Sequence, residues 1–202
     1  MTPRVVATNV LAREVSGVMR GWIGDINFEQ PVTLKAGEKR EIVFEPENFP
    51  QLRNRDMRLW WPNGYGEPYL YEAGFEFVPA SQKAKVAETA GGNAKRGVHA
   101  TIEYKAGIRQ ITYADVKTQL KIFVNGRRLV PLGGNWGFSE NNLNFRAREY
   151  DIAVRLHRDM NFNMIRNWVG MTGDEEFYDA CDRYGIMVWQ DFWLANPGDG
   201  PN

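Results

Sequence analysis

Polar and aromatic side chains follow each of three predicted parallel strands in the second half of the chain. They are Asn135 and Trp136 after the first strand, Arg166 and Trp168 at the second, and Asp191 and Trp193 at the third. A carboxylate accepts hydrogen bonds from two hydroxyls, a guanidinium can hold a carboxylate in place, and an indole stacks on the C–H face of a pyranose. Because parallel α/β barrels place their chemistry at the carboxyl ends of the strands, these residue types predict a sugar-binding site.

Each candidate also has a structural interpretation, and the sequence leaves both open. Asp191 could cap the loop after its strand, although burying a carboxylate there would be costly without a purpose. Arg166 could be an ion-pair partner inside the strand layer. The indoles of Trp136 and Trp168 could be packing material, and Asn135 is equally ambiguous.

The strands that must position these residues are predicted from residue 116 onward. Asn125-Gly126 supplies a tight turn in KIFVNGRRLVP, which predicts a hairpin. LVPLGGNW, NMIRNW and IMVWQDF then predict three strands that are buried between helices. The order β-α-β-α-β requires parallel strands with right-handed crossovers. Since three such strands make a poor closed domain, residues 116–202 are predicted to be the first part of a (β/α)₈ barrel of roughly 250 residues.

Two helices separate these strands. Ile152, Leu156 and Met160 are four apart, which predicts a helix from Glu149 to Asp159 with these residues on one face. Thr172 and Glu175 have the spacing of a capping box that opens the second helix. Its apolar face carries Phe177, Cys181 and Tyr184, and Gly185 is placed to end it.

The first half predicts an antiparallel β-sandwich. Short runs such as VSGVMRGWI and YLYEAGFEFV alternate apolar and polar residues between Gly, Pro and Asn. Their spacing predicts an immunoglobulin-like sandwich over residues 1–115 that lacks its first strand. Residues 80–97 contain almost no large apolar side chains and predict a flexible insertion.

The stretch LWWPNGYGEPYLYE is rich in aromatic residues and has two interpretations. Trp60, Trp61 and Tyr65 could form a stacking platform for polysaccharide on the sandwich, in which case the chain is a binding module. Alternatively, Trp60 and Trp61 have a structural role and face opposite sides of an extended segment. A purely structural scaffold domain is a third hypothesis for the chain as a whole.

Composition argues against several other classes. The formal net charge is zero, so bulk electrostatics do not indicate nucleic acid or an anionic membrane as a partner. No apolar run approaches the roughly 20 residues that span a bilayer, and no signal peptide is visible. Cys181 is the only cysteine, so no intrachain disulfide is possible. No cofactor or metal is predicted, because the acidic run at 174–176 is better explained by the positive end of a helix dipole.

Five motifs in order resemble glycoside hydrolase family 2. They are LWWPNGYGEPYLY, AGIRQI, VNGRRLVPLGGNW, NFNMIRNW and YDACDRYGIMVWQDFW. The WWPNGYGE and VWQDFW forms favour the branch of β-mannosidases and exo-β-glucosaminidases. This sequence departs from the family pattern at Leu132, where Arg or Lys is frequent, and at 167–170, where Val-Trp-Gly-Gly is frequent.

The resemblance implies β-sandwich domains followed by a catalytic (β/α)₈ barrel. It places Arg166 near a catalytic nucleophile, and Trp168 and Asp191 in the subsite for the terminal sugar. A carbohydrate would be the partner, and export to the periplasm or outside a bacterium is implied. Oligomeric state is left open.

The two catalytic groups of such an enzyme are not found in the chain. A retaining glycosidase needs two carboxyl groups about 5–5.5 Å apart, and in the resembled family both are glutamates that follow later barrel strands. Glu140 and Glu149 lack the expected Asn-Glu pattern and are predicted in a loop and at a helix start. The sequence therefore predicts a parent enzyme that acts on terminal β-mannosides or β-glucosaminides, and a 202-residue chain that is inactive by itself.

Overall fold

The computed structural model describes residues 1–53, 56–80, 100–137 and 145–192. The chain divides into two compact units: unit 1 is Met1–Met57 with Tyr71–Ala106, and unit 2 is Arg58–Leu70 with Gly107–Asn202. Residues 58–70 and 107–115 thus group with the second half, whereas the sequence put the domain boundary after residue 115; the two-domain assignment stays a prediction. The predicted insertion at 80–97 lies outside the described residues from position 81 onward. In the described part of the chain, no helix is long and apolar enough to cross a membrane.

Unit 1 consists of two antiparallel sheets. Its strands are β1 Arg4–Thr8, β2 Val15–Ile23, β3 Ile26–Leu34, β4 Lys39–Val43, β5 Tyr71–Pro79 and β6 Ala100–Ala106. One sheet has the order β3-β2-β5-β6, and β1 pairs with β4 in the other. Side chains alternate between buried and exposed along β2 and β3, which is the pattern that the sequence predicted for a half-buried sheet.

Aromatic rings fill the core of unit 1. Phe28 lies 4.7 Å from Phe44 between ring centroids, and Phe75 lies 6.1 Å from Phe44. Phe44 follows β4, whereas Phe28 and Phe75 lie on the four-stranded sheet, so the rings join the two sheets. The predicted antiparallel sandwich is confirmed, and its immunoglobulin-like topology stays a prediction.

Unit 2 opens with a small antiparallel sheet of β7 Ile111–Ala114, β8 Lys121–Val124 and β9 Arg127–Leu129. The turn between β8 and β9 has positive φ at both central residues, 50° at Asn125 and 78° at Gly126. That conformation matches the right-handed twist of a hairpin, and Asn-Gly is the pair that adopts it most readily. The predicted hairpin is confirmed.

The rest of unit 2 is a parallel β-α-β-α-β arrangement. It comprises β10 Gly133–Trp136, α1 Ala147–Asp159, β11 Met164–Asn167, α2 Glu175–Tyr184 and β12 Met187–Gln190. The three strands are parallel in the order β10-β11-β12. This confirms the predicted order of elements, whereas closure into a (β/α)₈ barrel stays a prediction.

The two helices pack on one face of the parallel sheet. Phe177 and Cys181 are buried there against Ile165, as the predicted apolar face of α2 requires, and Tyr184 packs at the edge of this cluster. Burial raises the pKa of the Cys181 thiol, which suits a packing role. Helix α2 ends at Gly185 in the left-handed conformation, φ 73°, as predicted.

Two local predictions are wrong, the cap of α2 and the burial of β12, whereas the predicted helix over 149–159 is confirmed as α1. Ile152, Leu156 and Met160 are 37, 52 and 55% exposed, because α1 turns Tyr150 and Val154 towards the core instead. Thr172 does not cap α2, whose N-cap residue is Asp174.

Strand β12 is also less buried than predicted, and Trp189 on it is 45% exposed. In the described residues β12 pairs with β11 as the outer strand of the order β10-β11-β12. Trp189 is in register with Arg166 on the face of the sheet away from the helices, so the helices do not cover it.

Candidate functional site

Arg166 and Asp191 form a two-pronged ion pair at the carboxyl ends of neighbouring parallel strands. The Nε of Arg166 lies 3.1 Å from Oδ1 and 3.0 Å from Oδ2 of Asp191, and its Nη2 lies 2.8 Å from Oδ2. The hydrogen bond from this guanidinium lowers the pKa of the Asp191 carboxyl below its ordinary value. Two residues that the sequence placed at separate strand ends are therefore joined in one ionised unit.

Side-chain alternation divides the sequence-predicted candidates between the two faces of the parallel sheet. In register, Asn135, Arg166 and Trp189 form one row across the three strands, and Trp136, Asn167 and Gln190 form the next. The first row faces away from the helices: Asn135 is exposed, the Arg166 side chain is 47% exposed and Trp189 is 45% exposed. Trp189 was missed at the sequence level, although its position two residues before Asp191 puts both on one face.

Trp136 lies on the opposite face from Asn135 and is 4% exposed. Its ring packs 5.0 Å from Phe177 between centroids, and its Nε1 donates to the Thr172 hydroxyl at 3.1 Å. The predicted sugar contact at Trp136 is therefore not supported, because neighbouring residues of a strand face opposite sides and this one belongs to the helix side.

The loop after β11 carries the second predicted aromatic candidate, Trp168, in a strained turn. Trp168 is 39% exposed and begins a 3₁₀ turn, Trp168–Gly170. Val169 has φ 47° and ψ 25°, a left-handed conformation that is costly for a β-branched residue. Its N–H points to Oδ2 of Asp191 at 3.4 Å. The strain thus falls where the sequence departs from the resembled pattern, which has glycine more often.

A buried polar cluster holds this loop in place. Asn167 is fully buried; its Nδ2 donates to the Thr172 carbonyl and to Gln190 Oε1, both at 2.8 Å, and its Oδ1 accepts from the Thr172 N–H. The hydroxyl of Tyr178 donates to the same Gln190 oxygen at 2.9 Å. These positioning residues were not predicted; the available signal was an Asn at the end of an otherwise apolar strand.

A depression of about 170 Å³ opens beside Asn135 and Arg166. Gly133 and Gly134 form part of its wall, and a Cβ at Gly133 would lie 1.7 Å from the Met164 carbonyl oxygen. Glycine at 133 is thus required for β10 and β11 to approach. The depression is lined on one side by the amide and guanidinium that the sequence predicted for the site.

In the alternative platform of Trp60, Trp61 and Tyr65, the indole of Trp60 is not available to a ligand. Trp60 is 1% exposed, and its Nε1 donates to the Asp182 carbonyl at 2.7 Å. The hydroxyl of Tyr65 accepts the Val130 N–H at 2.9 Å. The binding-module hypothesis is wrong for Trp60, because its indole is enclosed within unit 2, and the structural interpretation of that residue is confirmed.

The remaining candidates add no catalytic or metal centre to the described residues. Trp193 and Glu140 lie outside the described ranges. Asp174 accepts the Tyr150 hydroxyl at 2.6 Å, and burial together with this bond raises the pKa of Tyr150 to about 12. Within the ranges described above, no group of three His, Cys, Asp or Glu residues could hold a metal ion.

Curated relatives match most of the chain. It is 35% identical over 185 residues to a mannosylglycoprotein endo-β-mannosidase of Lilium longiflorum, which covers 88% of this chain and 17% of the relative. It is 30% identical over 206 residues to an exo-β-D-glucosaminidase of Streptomyces avermitilis, covering 99% of the chain and 20% of the relative. A β-mannosidase B of Aspergillus terreus is 35% identical over 81% of the chain, which covers 19% of that relative. No family model matches the chain.

Solved structures share the fold. An exo-chitosanase of Amycolatopsis orientalis superimposes with a TM-score of 0.71 at 18% identity, over 96% of this chain and 20% of that one. A family 2 β-galacturonidase of Eisenbergiella tayi gives a TM-score of 0.66 at 23% identity, over 95% of this chain and 29% of that one. The chain spans about a fifth of the length of the three curated relatives described above. Over the region that it spans, the chain belongs to glycoside hydrolase family 2, in the branch of the β-mannosidases and exo-β-D-glucosaminidases.

Proposed function

We propose that the whole protein is a retaining glycosidase that acts on terminal β-mannosides or β-glucosaminides, and that unit 2 supplies part of its sugar subsite. The observation that carries this proposal is the Arg166–Asp191 pair on the open face of the parallel sheet. The named activities of the relatives, which are mannosidases and a glucosaminidase, support the substrate class. Closure of the sheet into a (β/α)₈ barrel would enclose this face and is part of the proposal.

Asp191 binds sugar hydroxyls in this proposal and does not act as an acid. Its low pKa keeps the carboxyl ionised near neutral pH, so it accepts hydrogen bonds and is a poor proton donor. The carboxylate oxygens have several acceptor positions, and the guanidinium occupies only some of them. The Asp191 side chain is 9% exposed and presents only a small part of its surface, so in this proposal it accepts a hydrogen bond from a sugar hydroxyl there while Arg166 holds it in place.

Arg166 can hold a second group while it remains bound to Asp191. Nε and Nη2 make the bonds to Asp191. A guanidinium has five N–H donors in a fixed fork, so Nη1 remains to approach a further carboxylate. The position agrees with the role beside a catalytic nucleophile that the family resemblance implies for Arg166. Asn135 and Trp168 complete the proposed subsite, since both are exposed, Asn135 near the carboxyl end of β10 and Trp168 directly after β11.

The two catalytic glutamates lie outside residues 1–202 in this proposal, and the chain is inactive by itself. Retention requires a second carboxyl group about 5–5.5 Å from the first. Asp191 is paired with a guanidinium instead. We also propose that the protein is exported, which rests on the family resemblance.

The test is sugar binding without turnover. Saturation-transfer NMR on the 202-residue chain should detect methyl β-mannoside or glucosamine, and Asp191→Asn or Arg166→Ala should weaken binding by at least about tenfold, or 1.4 kcal/mol. Asp159→Asn, which alters an exposed carboxylate on α1, is the matched control. Release of p-nitrophenol from an aryl β-mannoside by the chain, abolished in Asp191→Asn, would disprove inactivity; equal sugar binding by all variants would disprove the subsite.

A further inference from the structure

Unit 1 presents a partly exposed tryptophan, Trp22, on the outer face of its four-stranded sheet. Along β2, Gly21 and Ile23 are buried, whereas Arg20 is exposed and Trp22 is partly exposed, so Trp22 is on the face away from the aromatic core. Gly74 is its partner on β5. A Cβ at Gly74 would lie 2.3 Å from the Trp22 ring. The glycine therefore gives the partly exposed indole room to reach over the neighbouring strand.

Polar side chains border this indole at fixed positions. Asn27 is the register partner of Trp22 on β3. In the adjacent row, the Arg20 guanidinium lies 2.9 Å from a Glu29 oxygen and 3.8 Å from a Glu76 oxygen. A depression of about 500 Å³ is lined by these residues and by Gln51, whose Nε2 donates to the Asn27 carbonyl.

The charge around Trp22 is negative. Among the residues that the structure describes on this face, carboxylates outnumber cations by two: Glu29, Glu72, Glu76 and Glu103 share it with Arg20 and Lys105. Lys105 is paired with Glu72, and Arg20 lies between Glu29 and Glu76. The excess favours a cationic ligand, in contrast to the zero net charge of the whole chain.

We infer that the outer sheet face around Trp22 binds an oligosaccharide of β-linked glucosamine in its ammonium form. The indole stacks on the C–H face of a pyranose ring, and its quadrupole attracts an ammonium held over it. The carboxylates Glu29 and Glu76 pair with the ammonium groups, and Asn27 and Gln51 supply amide donors and acceptors for hydroxyls. The site belongs to unit 1 and does not depend on the function proposed for Arg166 and Asp191.

The experiment is a calorimetric titration of the 202-residue chain with a glucosamine tetramer and, in parallel, a mannose tetramer. The glucosamine tetramer should bind at least about tenfold more tightly than the mannose tetramer at pH 6, and 1 M salt should remove most of that preference. Trp22→Leu, which keeps an apolar cover on Gly74 without a flat face, should raise the Kd at least about tenfold. The double variant Glu29→Gln/Glu76→Gln should abolish the preference for the amino sugar.

Several outcomes would overturn the inference: no binding of the glucosamine tetramer at millimolar concentration, the same Kd in Trp22→Leu, or binding lost in Asp191→Asn but kept in Trp22→Leu. The last result would assign the tetramer to unit 2. Circular dichroism checks that each variant is folded. If Trp22→Leu is unfolded, the carboxylate variant decides, because an unchanged preference in it contradicts the inference and a lost preference supports it.

Discussion

The indole N–H of Trp60 donates to the main-chain carbonyl of Asp182, 122 residues later in the chain, at 2.7 Å. That carbonyl is in the last turn of α2, where carbonyl groups lack partners within the helix. Arg109 completes the contact: its guanidinium lies 4.5 Å from the centre of the Trp60 ring and 3.7 Å from the Asp182 carboxylate. The segment 58–70 is thus a structural clamp on the end of a helix that follows it by more than 100 residues.

Trp60→Ala should destabilise unit 2 by about 3–5 kcal/mol, because it empties a fully packed position and leaves a helix-end carbonyl without its donor. Trp60→Phe keeps most of the volume and should cost less, on the order of 1–2 kcal/mol. Urea unfolding followed by near-UV circular dichroism measures both. Leu59→Ala is the neighbouring control, since Leu59 is 38% exposed; a loss in Leu59→Ala as large as in Trp60→Ala would contradict the clamp.

Asn63 connects the same segment to the end of α1, and its amide should be irreplaceable by a carboxylate. Its Nδ2 donates to the carbonyls of Arg158 and Phe162, both at 2.9 Å, and its backbone N–H donates to the Gly185 carbonyl at 2.8 Å. Asn63→Ala should cost about 1 kcal/mol. Asn63→Asp should cost more, because an ionised carboxylate cannot donate and faces two carbonyl oxygens at the negative end of a helix.

Urea unfolding at pH 7 measures the free energies of unfolding of Asn63→Ala and Asn63→Asp. Asn48→Asp, in an exposed turn of unit 1, is the control for the added charge. An Asn63→Asp variant as stable as the unchanged chain would show that the two side-chain hydrogen bonds carry no stability. A milder effect of Asp than of Ala would contradict the electrostatic argument.

Local patterns predicted elements well, and contacts between distant residues poorly. The Asn125-Gly126 turn and the Gly185 helix end follow from backbone conformations that few residues adopt, so short motifs were enough. The strand ends also located Arg166 and Asp191, which the structure brings into contact. Neighbouring residues of a strand point to opposite faces of the sheet, so Asn135 and Trp136 on β10 cannot both line one site. Choosing Asn135 as a site residue therefore argues against Trp136.

Other features needed tertiary information. Residue spacing in the sequence indicated an apolar stripe through Ile152 on α1. In the structure α1 instead buries the face that carries Tyr150, whose ring packs with the other aromatic rings of the core. The position of Trp60 depends on a carbonyl 122 residues away, which no local pattern contains. The strain at Val169 likewise appears only as a backbone angle.

Val169→Gly should stabilise unit 2. A β-branched residue at φ 47° costs about 1–3 kcal/mol, whereas the extra entropy of glycine in the unfolded chain costs roughly 0.5–1 kcal/mol. The expected net gain is about 1 kcal/mol in the free energy of unfolding. Val169→Ala keeps a Cβ and should gain less, which makes it the matched control. Lower stability of the glycine variant would indicate that the valine side chain makes compensating contacts.

The ion pair between Arg166 and Asp191 should make the free energy of unfolding of unit 2 depend on pH in the acidic range. The hydrogen bond from Arg166 lowers the pKa of Asp191 in the folded state, relative to about 3.9 in the unfolded chain. The pKa of Asp191 is lower in the folded than in the unfolded chain. The ion pair therefore contributes its full share to the free energy of unfolding above the unfolded pKa, and this share is lost as the pH falls through the folded pKa. Arg166→Ala should raise the pKa of the Asp191 carboxyl towards its ordinary value and flatten the pH dependence of unfolding below the unfolded pKa of about 3.9. A carbon-13 NMR titration of the Asp191 carboxyl measures the pKa directly, with Arg148→Ala, at an exposed position on α1, as the control. An Asp191 pKa that is the same in Arg166→Ala and in the unchanged chain would show that the guanidinium does not hold this carboxylate in solution.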